Sequence, residues 1–134
     1  GDFDVVASPA LGAIVLGFST ALAADKRSIF AERVSGELAF RRGFELRPRE
    51  RTLVVEDVIT TGGSATEVVE LVKKMGGEVV GVGALLDRSD PAQSFDAGVP
   101  FKALVKLETT SWDAADCPLC ADGVPLQDPG SRRL

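Results

Sequence analysis

Histidine is absent from this 134-residue chain, and cysteine is confined to Cys117 and Cys120. Two thiols without a histidine cannot complete a tetrahedral zinc site, which excludes a zinc module made by one chain. Two chains could pool their cysteines, and an incidental pair is the plainer reading. Sparse cysteine fits a reducing cytoplasm. Long apolar runs are missing as well. The longest, Ala13 to Ala24, is broken by Gly17, Ser19 and Thr20 and is too short to span a bilayer as a helix. No charged segment precedes it, so it does not read as a signal peptide. Positive charge is not in excess: the net charge is −5 and the isoelectric point is near 4.7. That argues against nucleic-acid or membrane-surface partners. An anionic ligand would have to be held by local geometry, not drawn in by a global field.

What is present reads as a soluble globular chain, 45% hydrophobic and 26% charged, with neither repeat nor linker. Its length supports a single domain, residues 1–134, with an irregular tail from residue 112. The chain opens at Gly1, without Met, already inside an apolar strand. That leads us to expect a missing N-terminal segment.

The expected elements alternate. Phe3–Ala7 reads as a buried strand that ends in Ser8-Pro9. Gly12–Ala24, apolar or small almost throughout, reads as a well-buried helix. Ser28–Ala31 is a second strand, and Glu32–Leu46 a mobile loop followed by a short strand. The Arg-rich segment Arg47–Arg51 reads as a solvated turn. Thr52–Val58 is the central strand, apolar on both faces until Glu56, as expected within a parallel sheet. Ser64 and Glu67 have capping-box spacing, and Val68, Leu71, Val72 and Met75 form one helical face. Lys73 and Lys74 in the last turn and Gly76-Gly77 beyond it close that helix. Glu78–Leu86 and Phe101–Leu107 complete the strands. The order predicts an α/β fold with a central, mostly parallel sheet flanked by helices on both faces. Ligands in such sheets bind at the carboxyl ends of the strands. Three loops, Ser8–Gly12, Glu56–Ser64 and Asp87–Ser89, should share that rim.

The chemistry concentrates in Leu53–Ser64. An apolar strand runs into Glu56-Asp57 and then a hydroxyl-rich turn with Gly62-Gly63 that opens a helix. Unpaired N–H groups at a helix N-terminus bind phosphate, and carboxylates one step earlier can accept from sugar hydroxyls. The turn has neither the Gly-Lys-Ser/Thr of a Walker A loop nor the spacing of a dinucleotide-binding fingerprint. Carboxylates at the end of a buried strand are costly unless paired or functional. Strand alternation sends Glu56 and Asp57 to opposite faces, so they cannot together clamp a metal.

The run Val54–Ser64 resembles the phosphoribosyl-diphosphate signature of type I phosphoribosyltransferases, and looks most like its form in bacterial orotate phosphoribosyltransferases. The resemblance continues in Asp4–Gly17, in Ala84-Leu85-Leu86-Asp87-Arg88 and in Cys117–Pro125. It implies a type I phosphoribosyltransferase fold whose hood is largely missing from this chain. It also implies transfer of the phosphoribosyl group from 5-phosphoribosyl 1-diphosphate to orotate, giving orotidine 5′-monophosphate and pyrophosphate. Transfer to another base, or binding of the diphosphate sugar without catalysis, are the alternatives. The implied site comprises Glu56 and Asp57 at the ribose, Asp57 nearest the reacting centre, with Thr61, Gly62, Gly63 and Ser64 around the 5′-phosphate and Val58, Ile59 and Thr60 also among the residues that bind the diphosphate sugar. Ala10, Leu11, Gly12 and Ala13 would form the pyrophosphate loop, and Thr60 and Arg88 would contact orotate. Without the family, Arg88 reads as a surface partner of Asp87 or Asp90. The resemblance further implies Mg²⁺ bound mainly through the diphosphate sugar, with no dedicated protein metal site, and a cytoplasmic homodimer. Its catalytic loop usually carries Lys, Arg and His. Here the loop is Glu32–Glu37, with Arg33 its only cation and Arg41 and Arg42 beyond. Many members have a lysine where this chain has Gly12.

Overall fold

The computed structural model describes residues 2–90, 92, 94–110, 112–113 and 115–125. The elements follow in the order β1 (Val5–Pro9), α1 (Ala13–Ala23), β2 (Arg27–Val34), β3 (Glu37–Phe40), β4 (Arg51–Ile59), α2 (Gly63–Lys74), β5 (Glu78–Asp87), β6 (Phe101–Lys106) and α3 (Pro118–Ala121). Six strands form one sheet, ordered β3-β2-β1-β4-β5-β6. Every neighbouring pair is parallel except β2–β3. The expected mostly parallel α/β sheet is therefore observed.

β1 lies between β2 and β4, and Val5, Val6 and Ala7 are fully buried. A strand covered on both faces has no solvent side, which is why this stretch does not alternate with polar residues. Each buried valine contributes about 1.5–3 kcal/mol. The two faces are distinct cores. Val5, Ala7, Ile29, Ala31 and Val54 pack with Ala65, Val68, Val69 and Val72 of α2. Val6 and Val55 pack with Ala21 of α1.

Several expectations are corrected. α1 is not buried throughout. Ala13, Gly17 and Ala21 face the sheet, while Val15, Phe18 and Leu22 are 57–74% exposed. The helix is apolar all round, but the sheet can cover only one stripe of it. On α2 the buried stripe is Ala65-Val68-Val69-Val72, and Met75 is its exposed C-cap. Ser64 does not cap α2; the N-cap is Gly62, with no side-chain cap bond. Glu32–Glu37 is not a loop before a short strand: β2 runs through Val34, turns at Ser35-Gly36 and returns as β3. Ser35 and Gly36 both have positive φ (51° and 92°), the backbone twist of a tight hairpin.

The Arg47–Arg51 segment is a turn, but Glu50 within it is buried and anchors it. Its carboxylate accepts from Arg27 Nη2 at 2.7 Å and from the Arg47 N–H at 2.9 Å. The expected irregular tail contains the four-residue α3, and its positions 114 and 126–134 lie outside the described residues, as does Pro91 of the expected turn. No described helix is long and apolar enough to cross a membrane.

Candidate active site

At the carboxyl ends of β1 and β4 lies a cavity of about 770 Å³. Its lining is residues 9–12 of the β1–α1 loop, residues 56–65 of the β4–α2 junction, Arg33, Gly36 and Leu38 of the hairpin, and Glu67. A second cleft, about 460 Å³, lies at Asp4, Lys26, Arg27 and 47–50, near the amino ends of the strands. Ligands of open parallel sheets bind at the other end. The first cavity is the candidate site.

β4 delivers the two carboxylates. Glu56 shares the parity of Val54 and Asp57 that of Val55, so they belong to opposite faces of the strand. They meet at the cavity because the strand ends there. Glu56 is buried, and its Oε1 accepts the Asp57 N–H at 3.1 Å. Asp57 Oδ1 accepts the Val58 N–H at 2.8 Å. The backbone thus holds both side chains. Asp57 also fits against Gly12: a Cβ built there would overlap its carboxylate. The Ala10–Leu11 peptide bond of the same loop is cis.

After β4 the chain turns through Gly62 at φ 78°, a left-handed conformation that disfavours any side chain. A Cβ at Gly62 would also strike the Phe95 ring, which packs edge-on against Phe101 with centroids 4.9 Å apart. α2 then begins at Gly63, with the Thr66 N–H bonded to Gly62 O at 2.9 Å. The N–H groups of a first turn lack intrahelical acceptors, and the N-cap residue, Gly62, has no side chain to offer them. They stand at the positive end of the helix dipole, beside the cavity.

Of the expected site residues, Glu56, Asp57, Val58, Ile59, Thr60, Thr61, Gly62, Gly63 and Ser64 line the cavity, as do Ala10, Leu11, Gly12 and Arg33. Ala13 does not: it is buried as the first residue of α1. Arg88 is exposed and outside the lining, its N–H held by Ile59 O at 2.7 Å. Asp87 turns instead to Ser89 and Lys106. Arg41 and Arg42 are also outside the lining and pair with Glu32.

Arg33 reaches Glu67 through two bonds of 3.0 Å and also donates to the Gly36 carbonyl. The hydrogen bonds to Glu67 raise its guanidinium pKa still further. Sequence reasoning missed this partner, because nothing local joins positions 33 and 67. Phe95 was missed for the same reason. Cys117 and Cys120 are free thiols; hydrogen bonds from Cys120 hold Cys117 below the usual thiol range and push Cys120 up. Among the described residues, no three His, Cys, Asp or Glu side chains converge as a metal site.

A mostly parallel α/β sheet with a carboxylate pair and a Gly-rich helix start at its carboxyl rim is the architecture of a ligand-binding α/β protein with an anion site. The phosphoribosyl transferase domain family matches residues 3–117, and the chain belongs to that family. An orotate phosphoribosyltransferase of Caldanaerobacter subterraneus subsp. tengcongensis is 52% identical over 131 residues, 98% of this chain and 68% of the relative. Among solved structures, adenine phosphoribosyltransferase from Rhodothermus marinus matches with a TM-score of 0.68 at 23% identity, covering 79% of this chain and 70% of that one. Orotate phosphoribosyltransferase from Aeropyrum pernix matches at 0.64 and 23%, covering 78% and 61%. These structural likenesses show the fold alone.

Proposed function

We infer that the chain transfers the phosphoribosyl group of 5-phosphoribosyl 1-diphosphate to orotate, yielding orotidine 5′-monophosphate and pyrophosphate. The observation that carries the transfer reading is the cavity in which Glu56, Asp57 and the Gly-rich start of α2 converge. The 52% identity to an enzyme named for orotate supports the choice of base.

In the reaction the C1′–O bond to the diphosphate breaks and a bond from orotate N1 to C1′ forms. The first turn of α2, with Thr61, Gly62, Gly63 and Ser64, donates to the 5′-phosphate. Glu56 and Asp57 accept from the ribose hydroxyls, and Asp57 lies nearest the developing positive charge at C1′. The loop 10–12 holds the diphosphate, with Arg33 supplying a cation from the hairpin. Thr60 and Arg88 are proposed for orotate, Arg88 through a fork suited to a carboxylate. Mg²⁺ would enter with the substrate's oxygens; Asp57 Oδ1 accepts the Val58 N–H, and its Oδ2, on the side of Gly12, is an oxygen that a hydrated ion could use. Bound in that way, Mg²⁺ supplies charge neutralisation of the diphosphate. We also read the enzyme as a cytoplasmic homodimer that takes small-molecule substrates, without nucleic-acid or membrane partners.

The test is formation of orotidine 5′-monophosphate from the diphosphate sugar and Mg²⁺, with orotate compared against adenine and other bases. Asp57→Asn should lower kcat by about a hundredfold. Turnover of adenine in preference to orotate would refute the choice of base.

A further inference from the structure

The fold brings the hairpin over the first turn of α2, and there Arg33 and Glu67 meet in a two-bond fork, Nη1 to Oε2 and Nη2 to Oε1, each at 3.0 Å. Arg33 is the only cation among the described residues that line the cavity, whereas Glu56, Asp57 and Glu67 are all acidic. The cation that could face a diphosphate is therefore held by one particular carboxylate.

Stability does not account for the pair. Both side chains are more than 40% exposed, at 45% and 42%, and an ion pair so exposed adds little to stability. Helix capping does not account for it either, because α2 has no side-chain cap. What the fork does supply is orientation. A guanidinium on a long flexible stem has many rotamers; two parallel bonds to one carboxylate, with a third to the Gly36 carbonyl, fix its plane. The hairpin has no substitute. Arg41 and Arg42 are held by Glu32, whose side chain lies on the opposite face of β2 from Arg33.

We propose that Glu67 is a positioning residue for the transfer reaction: it holds the Arg33 guanidinium at the rim of the phosphate cradle, oriented toward the departing pyrophosphate. The inference rests on the transfer function proposed above. Glu67 acts through Arg33, and no proton or covalent bond changes at its carboxylate.

The experiment is steady-state kinetics of Glu67→Gln, Arg33→Ala and the double variant, with thermal melting of each. Glu67→Gln should lower kcat about tenfold, since loss of orientation slows the chemical step. Its KM for orotate should stay within about twofold of wild type and its melting temperature should be unchanged. The double variant should be no slower than Arg33→Ala, because the carboxylate acts only through that arginine. Glu67→Asp, which keeps the fork with shorter reach, should recover part of the rate. A slow Arg33→Ala beside a full-rate Glu67→Gln would overturn the inference and leave the transfer function standing. Strictly additive losses in the double variant would overturn it too. Absence of product from the unaltered chain would instead refute the function itself.

Discussion

The carboxylate of Asp57 occupies the space that a side chain at residue 12 would need; its Oδ2 is the nearest atom to a Cβ built on Gly12. The backbone of Gly12, at φ −56° and ψ −43°, is one that any residue adopts without strain. A substitution there consequently tests the contact and not the conformation. Gly12→Ala should fold normally but push Asp57 aside, lowering kcat/KM for the diphosphate sugar at least about tenfold. Steady-state kinetics beside a thermal melt would check this. Wild-type kinetics would mean that Asp57 tolerates displacement.

Ser8 yields the opposite expectation. It lies on β1, fully buried against α1, and its hydroxyl has no hydrogen-bond partner among the described residues. Gly17 of α1 lies over it, so close that a Cβ at 17 would come within 2.6 Å of Ser8 Oγ. A buried hydroxyl without a partner bears its desolvation cost uncompensated. Ser8→Ala should leave stability unchanged or raise it by about 1–2 kcal/mol, as read by denaturant unfolding. A loss of similar size would show that the hydroxyl has a bonded partner.

Asp87 sets a pH dependence. Burial pushes its pKa up, but the Ser89 hydroxyl at 2.6 Å, the Ser89 N–H at 2.9 Å and Lys106 at 3.7 Å outweigh that, so its carboxyl lies below the usual value. A carboxyl depressed in the folded state contributes stability that is fully present above its unfolded pKa, about 3.9. The contribution fades as pH falls through the folded value. Asp87→Asn should therefore cost about 1–2 kcal/mol at pH 7. The gap to wild type should narrow below about pH 4. A gap that stays constant from pH 7 to pH 3 would mean the charge of Asp87 contributes nothing.

The strands and the cradle were legible because local signals define them. Val5–Ala7 and Leu53–Val55 are apolar without alternation, as strands covered on both faces must be. The carboxylates and glycines of 56–63 stand where a strand gives way to a helix. The hairpin was read as a loop because Glu32–Glu37 is polar, and its pairing with β3 is settled by two positive-φ residues at the turn. Glu67 was read as a cap from its spacing to Ser64, yet a long-range partner outcompeted that local use. The exposure of Val15, Phe18 and Leu22 was hidden for a different reason. Apolar character marks what a side chain tolerates, while coverage depends on which neighbours the fold brings near.

β1 occupies the middle of the sheet although it is the first of the described strands. Its neighbour on one side, β2, begins at residue 27, but the other, β4, is complete only at residue 59. The edge of β1 opposite β2 is therefore covered only when β4 joins the sheet. The pairing that covers that edge is also the one that aligns the β1–α1 loop with Asp57. The site and the centre of the sheet are completed by the same event.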